Sequence, residues 1–155
     1  MIRMAPPEVA RDAQQSRPTP ARGRPRVEGI RSSKAPDGSR AIEVTLSWPD
    51  GTRSEGHGAS VGLPEAEDRA AAEATIAAIL DGPALDRSLR LRGTKAVRAF
   101  DQLVIVAAVD RGVEGRSRPL IGSVCAPKAD RIRGAVLATL NAVNRVIEGK
   151  AGPPR

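Results

Sequence analysis

The feature that most constrains the fold of this chain is a helical pattern that occurs twice. Over residues 131–147, apolar side chains recur at steps of three and four, which places them on one face of a helix; these are Ile132, Val136, Leu140, Val143 and Ile147. A fainter copy lies upstream, where residues 74–79 align with residues 138–143. Two related helices, each after a run of strand-like sequence, indicate an internal repeat.

The region before the first helix predicts three strands joined by two tight turns. Pro-Asp-Gly occurs at residues 36–38 and again at 49–51, and this combination favours turns because proline fixes the first corner and glycine tolerates a positive φ. Between the turns, apolar and polar residues alternate with the period of a strand that has one buried face. The apolar positions are Ile42, Val44, Leu46 and Trp48. Residues 27–34 and 52–60 supply the flanking strands.

The first helix is predicted to begin at Pro64 and to end at residues 81–83, where Asp-Gly-Pro cannot continue a helix. Glu65, Glu67 and Asp68 lie in its first turns, and their charges complement the positive end of the helix dipole. Capping and dipole effects are therefore the expected roles of these carboxylates.

The second half repeats the order of the first. Strands are predicted over residues 88–100, 103–109 and 119–126, with a bend at Gly93, and the second helix is predicted from Pro127 to about Gly149. In the first of these strands we expect four inward-facing residues, which are Leu89, Leu91, Val97 and Ala99. The sequence thus predicts an α+β fold of two βββα repeats, with antiparallel sheet and two helices on one face.

The ends of the chain differ in composition from this domain. Residues 1–25 are rich in proline and arginine and show no apolar period, so we expect a disordered basic tail, and residues 150–155 are expected to be a disordered terminus. The domain then spans 26–149, with repeats at about 26–82 and 88–149. Of the formal net charge of +7, residues 1–26 hold +4, so much of the basic character belongs to the tail.

The tail ends in a basic pentapeptide over residues 22–26. Its Arg-Gly-Arg-Pro-Arg sequence resembles the core of an AT-hook, whose arginines are drawn into the narrow minor groove of A·T-rich DNA. That resemblance implies that Arg22, Arg24 and Arg26 contact nucleic acid. A solvated linker is the competing interpretation, because an arginine-rich tail produces such strings by chance.

The sequence offers few side chains that could carry out catalysis. His57 is the only histidine, which excludes multi-histidine metal sites and histidine relays, and between two glycines it is expected to be exposed. Cys125 is the only cysteine, so no intramolecular disulfide forms, and its predicted strand suggests a buried, inert thiol. No phosphate-binding loop or dinucleotide motif is present. We therefore expect no enzyme activity, no metal and no cofactor.

The strand over residues 103–109 is apolar on both faces. If its odd-numbered residues face the helices, then Val104, Val106 and Ala108 lie on the other face, where a single layer of sheet leaves them in water. A homodimer contact, a sheet closed or curled over this face, or the N-terminal tail would cover them.

The doubled unit resembles the C-terminal regulatory domain of α-isopropylmalate synthase over roughly residues 26–148. The strings that carry the resemblance are Val-Glu-Gly-Ile-Arg-Ser-Ser at 27–33, Ile-Glu-Val-Thr-Leu at 42–46, Leu-Arg-Gly-Thr-Lys-Ala-Val at 91–97 and Leu-Asn-Ala-Val-Asn-Arg at 140–145. It implies this fold and a dimer that binds a feedback ligand near its interface. The starts of both helices depart from the family pattern, so no ligand residue is carried over.

The start of the second helix is also similar to that of a double-stranded-RNA-binding domain. Gly-Ser-Val-Cys-Ala-Pro-Lys at residues 122–128 leads into an alanine-rich helix, and that resemblance implies phosphate contacts by Lys128, Arg131 and Arg133. Asp130 lies between them, and three solvated charges on a polar helix face are the alternative.

Two functions follow as hypotheses. The first is a non-enzymatic, homodimeric regulatory or interaction domain, with any small effector bound between the sheet and the helix starts. The second is a nucleic-acid-binding accessory protein that uses the basic tail. With no signal peptide and no membrane-spanning run, the expected location is the cytoplasm, away from membranes.

Overall fold

A computed structural model describes residues 23–84, 87–112 and 118–151. Along the chain these form six strands, two α-helices and one turn of 3-10 helix. The elements are β1 (Arg26–Lys34), β2 (Arg40–Ser47), β3 (Arg53–Ser60), α1 (Pro64–Asp81), β4 (Leu89–Ala99), β5 (Gln102–Arg111), β6 (Leu120–Ala126), the 3-10 turn (Lys128–Asp130) and α2 (Arg131–Ala151).

The strands form two antiparallel sheets of three strands each. Sheet A has the order β1-β2-β3 and sheet B the order β4-β5-β6, and each is followed in the chain by its own helix. The predicted α+β fold of two βββα repeats is confirmed. Within the described ranges, no helix is long and apolar enough to cross a bilayer. The predicted disordered segments lie almost entirely outside those ranges and stay predictions.

Both Pro-Asp-Gly turns of sheet A form as predicted. Gly38 and Gly51 each adopt a φ of 88°, in the region that favours glycine. Asp37 Oδ1 accepts hydrogen bonds from the hydroxyl and the amide of Ser39, and Asp50 Oδ1 accepts the same pair from Thr52. The bond from the neighbouring hydroxyl is the main reason that the pKa of each aspartate is lowered.

A β-bulge interrupts the first strand of each sheet at the same place in the repeat. The register of β1 against β2 shifts around Glu28, and that of β4 against β5 shifts around Arg92. Because a bulge adds one residue, it reverses which side chains face the core beyond it. The prediction that Val97 and Ala99 face inward is wrong for this reason; Val97 is 40% exposed, and Ala96 packs on the core instead.

The core lies between the sheets and the helices and consists mainly of small aliphatic side chains. Ile42, Val44 and Leu46 of β2 are buried, as are their counterparts Ile105, Ala107 and Val109 of β5. Trp48 is buried against Gly82, and its Nε1 donates a hydrogen bond of 2.8 Å to Ser54 Oγ. The predicted inward faces of both central strands are confirmed.

Each helix rests directly on a glycine of the third strand of its sheet. A Cβ atom at Gly56 would collide with the backbone of Ala74 and Ala78, and one at Gly122 would collide with the backbone of Ala138 and Ala142. These alanines occupy equivalent positions in the aligned helices. The glycines therefore fix the same close helix–sheet spacing in both halves.

An ion pair joins the two helices. Arg131 Nε lies 3.0 Å from both carboxylate oxygens of Asp68, and Arg131 Nη2 donates a 2.7 Å hydrogen bond to Asp68 Oδ2. Asp68 is only 2% exposed. The expectation that capping and dipole effects account for Asp68 is therefore wrong, because its partner comes from the start of the other helix and no local pattern reveals it.

Candidate interaction surfaces

The outer face of sheet B, the side turned away from the helices, carries an apolar surface built from all three strands. Strand pairing aligns Val97, Val104 and Cys125 in one row across the sheet, Lys95, Val106 and Ser123 in the next, and Gly93, Ala108 and Ile121 in the third. Ile121 is 59% exposed, and the central Val104, Val106 and Ala108 are half-buried by their neighbours. No element of the described chain covers these rows.

The outer face of sheet A is the internal reference for this surface. Its equivalent rows are Ser33, Ala41 and Ala59, then Arg31, Glu43 and His57, then Gly29, Thr45 and Glu55. The two faces have the same backbone geometry and opposite chemistry, since Glu43 stands where sheet B has Val106. The fold itself thus does not require apolar residues on this face, and those of sheet B need another explanation.

An exposed aromatic ring stands at one end of the same sheet. Phe100 lies in the two-residue turn between β4 and β5 and is 97% exposed. Phe100 and Asp101 have φ values of 50° and 60°, the left-handed region that bulky side chains disfavour. Phe100 is thus the largest exposed apolar side chain of the described chain. Its backbone conformation and its exposure to water are both unfavourable, and it lies next to the row of Val97 and Val104.

Cys125 belongs to this outer face. Its thiol is free and exposed, so the expectation of a buried cysteine is wrong, while that of an inert one stays a prediction. The strand register gives the reason, because Cys125 pairs with Val104 and two directly paired residues share one face of a sheet. A solvent-exposed thiol therefore lies within the apolar surface.

Charged residues border the apolar rows at the end remote from Phe100. Arg92, the bulge residue, places its Nε 3.6 Å from Asp110 Oδ1, which is too long for a hydrogen bond. That carboxylate oxygen is buried and has no hydrogen-bond partner among the described residues.

The structure brings together several of the basic residues singled out in the sequence. Arg24, Arg26 and Arg133 line one cavity of about 850 Å³, which lies between the start of β1 and the side of α2 and is called the β1–α2 cavity below. Arg131 instead points its guanidinium at Asp68, and that hydrogen bond is the main reason that the pKa of Arg131 is raised. Lys128 opens the 3-10 turn, and Arg22 lies outside the described residues.

A second cavity of about 780 Å³ lies where the two helices begin. Arg40, Arg98, Arg131 and Arg133 line it together with Glu67 and Asp130. Two of these arginines are already paired, since Arg40 Nε lies 3.0 Å from Glu67 Oε1 and Arg131 holds Asp68. Its net positive charge is therefore smaller than the arginine content suggests. This is the place where the sequence led us to expect a small effector.

The described chain contains no group of three or more His, Cys, Asp or Glu side chains that could hold a metal ion. His57 is exposed, as expected, and its Nδ1 lies 3.7 Å from Glu43 Oε2 on the outer face of sheet A. This pair is a surface contact that becomes an ion pair only when the histidine is protonated.

Comparison with known proteins gives no match, either to a protein-family model or to a curated protein.

Proposed function

We propose that this chain is a non-enzymatic regulatory or interaction domain that forms a homodimer through the outer face of sheet B. The contrast between the two sheets is the observation that supports this function. Equivalent rows of the repeat carry Arg31, Glu43 and His57 on one sheet and Lys95, Val106 and Ser123 on the other. An apolar replacement confined to one copy of a repeat is typical of a contact surface.

The surface has the composition that a twofold interface requires. The apolar residues of the central strand β5 lie at its centre, Lys95 on β4 and the pair Arg92–Asp110 supply a polar border, and Phe100 provides an aromatic anchor of the kind that dominates binding energy. A second copy is the occupant that we propose, because a self-complementary patch of this kind serves both partners of an isologous dimer.

Sedimentation of the full chain tests this proposal. We expect a dimer at concentrations of roughly 100 micromolar and a monomer for Val106→Glu at the same concentration. The substitution places on sheet B the residue that sheet A already carries at this position, beside Lys95 where sheet A has Arg31. The variant should therefore fold.

Thr45→Glu is the matched control, since it adds the same charge to the outer face of sheet A and should leave the dimer intact. A wild-type chain that stays monomeric at this concentration would contradict the homodimer, as would a Val106→Glu variant that dimerises as tightly as the wild type.

Nucleic-acid binding is the second candidate function. One observation favours it, which is that Arg24 and Arg26 of the basic pentapeptide lie beside Arg133 of α2 around the β1–α2 cavity. Among the described residues, no acidic side chain lines this cavity. Two of these cations, Arg26 and Arg133, make no ion pair with a described residue, and such side chains suit phosphate contacts.

This second function predicts binding of DNA or RNA that weakens steeply as salt rises. Changing Arg24 and Arg26 together to Gln should lower both the affinity and the slope of its salt dependence. Salt-independent binding, or an unchanged slope in the double variant, would exclude these arginines as phosphate contacts.

A further inference from the structure

The β1–α2 cavity lies where the internal repeat leads one to expect packed side chains. In the first half of the repeat, α1 packs on β4, the first strand of the other sheet. The equivalent contact would place α2 on β1, yet the described chain shows no comparable packing there. The cavity of about 850 Å³ occupies this position, and its volume is within the range of small-molecule sites.

The side of α2 that faces the cavity also departs from the repeat. Asn141 and Asn144 stand where α1 has Ala77 and Leu80, so two amides replace two apolar side chains. Asn141 Nδ2 donates a hydrogen bond of 3.3 Å to the carbonyl oxygen of Ser123, which anchors that side chain to β6. The amides are therefore a property of α2 that the fold does not impose.

Asn144 carries an unused hydrogen-bonding atom. Its Oδ1 is buried and has no partner within the described part of the chain. Nearly all buried polar atoms of folded proteins have a partner, so an acceptor of this kind on a cavity wall indicates a donor supplied by a bound molecule.

The remaining walls define the charge and polarity of that molecule. Arg26 and Arg133 are exposed and make no ion pair with any described residue, and no acidic side chain of the described ranges lines the cavity. Leu137 and Leu140 provide an apolar wall beside the amides. A ligand that suits these walls has an anionic group, a flat or apolar body and an N–H donor.

We propose that the β1–α2 cavity binds a nucleotide. The phosphate would lie at Arg26 and Arg133, the base would lie on Leu137 and Leu140, and a base N–H would donate to Asn144 Oδ1. Asparagine amides and arginine guanidinium groups are the side chains that proteins use for bases and phosphates. This inference rests on the regulatory function proposed above, to which it adds a site and a ligand class. It does not depend on the dimer.

The same chemistry has two sources, a free mononucleotide or one nucleotide of a strand. Trp48 lines the cavity and is the only tryptophan of the chain, so its fluorescence reports occupancy directly. The full chain is titrated with the four ribonucleoside monophosphates in one arm and with short single-stranded oligonucleotides in the other, with inorganic phosphate and adenosine as partial ligands. Saturable binding in either arm supports the site and identifies its source.

Two variants and one matched control make the test specific. Arg133→Gln should weaken nucleotide binding about tenfold or more, because it removes a charge-assisted contact. Asn144→Leu installs the residue that α1 has at this position, so it should fold normally and lose the discrimination between bases. Arg69→Gln removes the equivalent arginine of α1, which pairs with Glu73, and should leave binding unchanged.

Three results would overturn the proposal. One is the lack of a saturable response to any nucleotide or oligonucleotide at millimolar concentration. Another is an equal loss of binding in Arg69→Gln and Arg133→Gln. The third is full competition by inorganic phosphate alone, which would show an adventitious ion only. Sedimentation of the same samples tests the dimer separately, so failure at this cavity is distinguishable from failure of the proposed interface.

Discussion

Asp68 of α1 and Arg131 of α2 form a bidentate ion pair that links the two halves of the repeat. The carboxylate is 2% exposed, while the arginine side chain keeps 27% of its surface in contact with solvent. Buried carboxylates depend on such partners because an unpaired buried charge is costly. This pair therefore controls how the halves dock.

Removing the arginine should destabilise the chain strongly. Arg131→Met leaves Asp68 buried without its cation, and we expect a loss of about 2–4 kcal/mol in the free energy of unfolding, given the partial exposure of Arg131. Asp68→Asn with Arg131→Met should recover part of this loss, since no buried charge is left. Urea denaturation measures both. Equal losses in the single and double variants would show that the penalty is not electrostatic.

The pH dependence of the stabilisation by Arg131 follows from the direction in which its pKa is shifted. The pKa of Arg131 is raised chiefly by the hydrogen bond to Asp68, so the stabilisation from Arg131 is complete below its unfolded pKa and is lost only as pH rises through the higher folded value. The stability difference between wild type and Arg131→Met should thus stay constant as pH rises from about pH 9 to about pH 11. A decline within this window, measured by urea titrations, would contradict the assignment.

The glycines beneath the helices should be intolerant of a methyl group. Gly122→Ala places a Cβ atom against the backbone of Ala138 and Ala142, which cannot rotate away, and we expect a loss of about 1–3 kcal/mol or more. Gly29→Ala is the control, because no atom lies within 4 Å of its Cβ position and it lies on sheet A, outside the proposed dimer contact. Its stability should change by less than about 1 kcal/mol. Similar thermal melts for the two variants would refute this packing role.

A substitution at Phe100 should have opposite effects on the stability of the monomer and on the formation of the dimer. Phe100→Gly relieves a left-handed conformation that costs a bulky residue roughly 1 kcal/mol, so the dilute monomer should become more stable. The same change removes the proposed aromatic anchor and should weaken the dimer. Denaturation at low concentration and sedimentation at high concentration measure the two effects. A destabilised monomer would mean that the ring makes contacts within the chain.

Cys125 offers an independent readout of the outer face of sheet B. Its exposed thiol should react readily with a thiol reagent in dilute solution, and the rate should fall as concentration rises if a second copy covers the surface. In Val106→Glu the rate should not depend on concentration. Protection that is equal at all concentrations would argue that a part of the chain itself covers the thiol.

Local chemistry explains which parts of the fold could be predicted from the sequence. The two Pro-Asp-Gly turns, the alternation from Ile42 to Trp48 and the glycine–proline stop after Asp81 each specify structure over a few residues, and each is found as predicted. The α+β repeat follows from their order, and Val104, Val106 and Ala108 do lie on the outward face.

What could not be predicted depends on contacts between distant segments. The bend predicted at Gly93 lies beside the bulge at Arg92, but a single glycine does not specify that the bulge reverses the facing of Val97. The partner of Asp68 lies in another helix, and the β1–α2 cavity combines the start of β1 with the side of α2. The outward position of Cys125 could have been predicted, since pairing β5 with β6 places it beside Val104 on one face of the sheet.

The contact of helix backbone with strand glycine limits which sequences this chain can accept. Where Gly56 and Gly122 let a helix rest directly on a strand, the layer between helix and sheet has little room for a ring, which accounts for the alanine-rich core. A larger residue would have to lift a whole helix and with it the pairing of the two halves. Natural variation should therefore concentrate on the outer faces of the sheets, where a side chain can change without moving a helix.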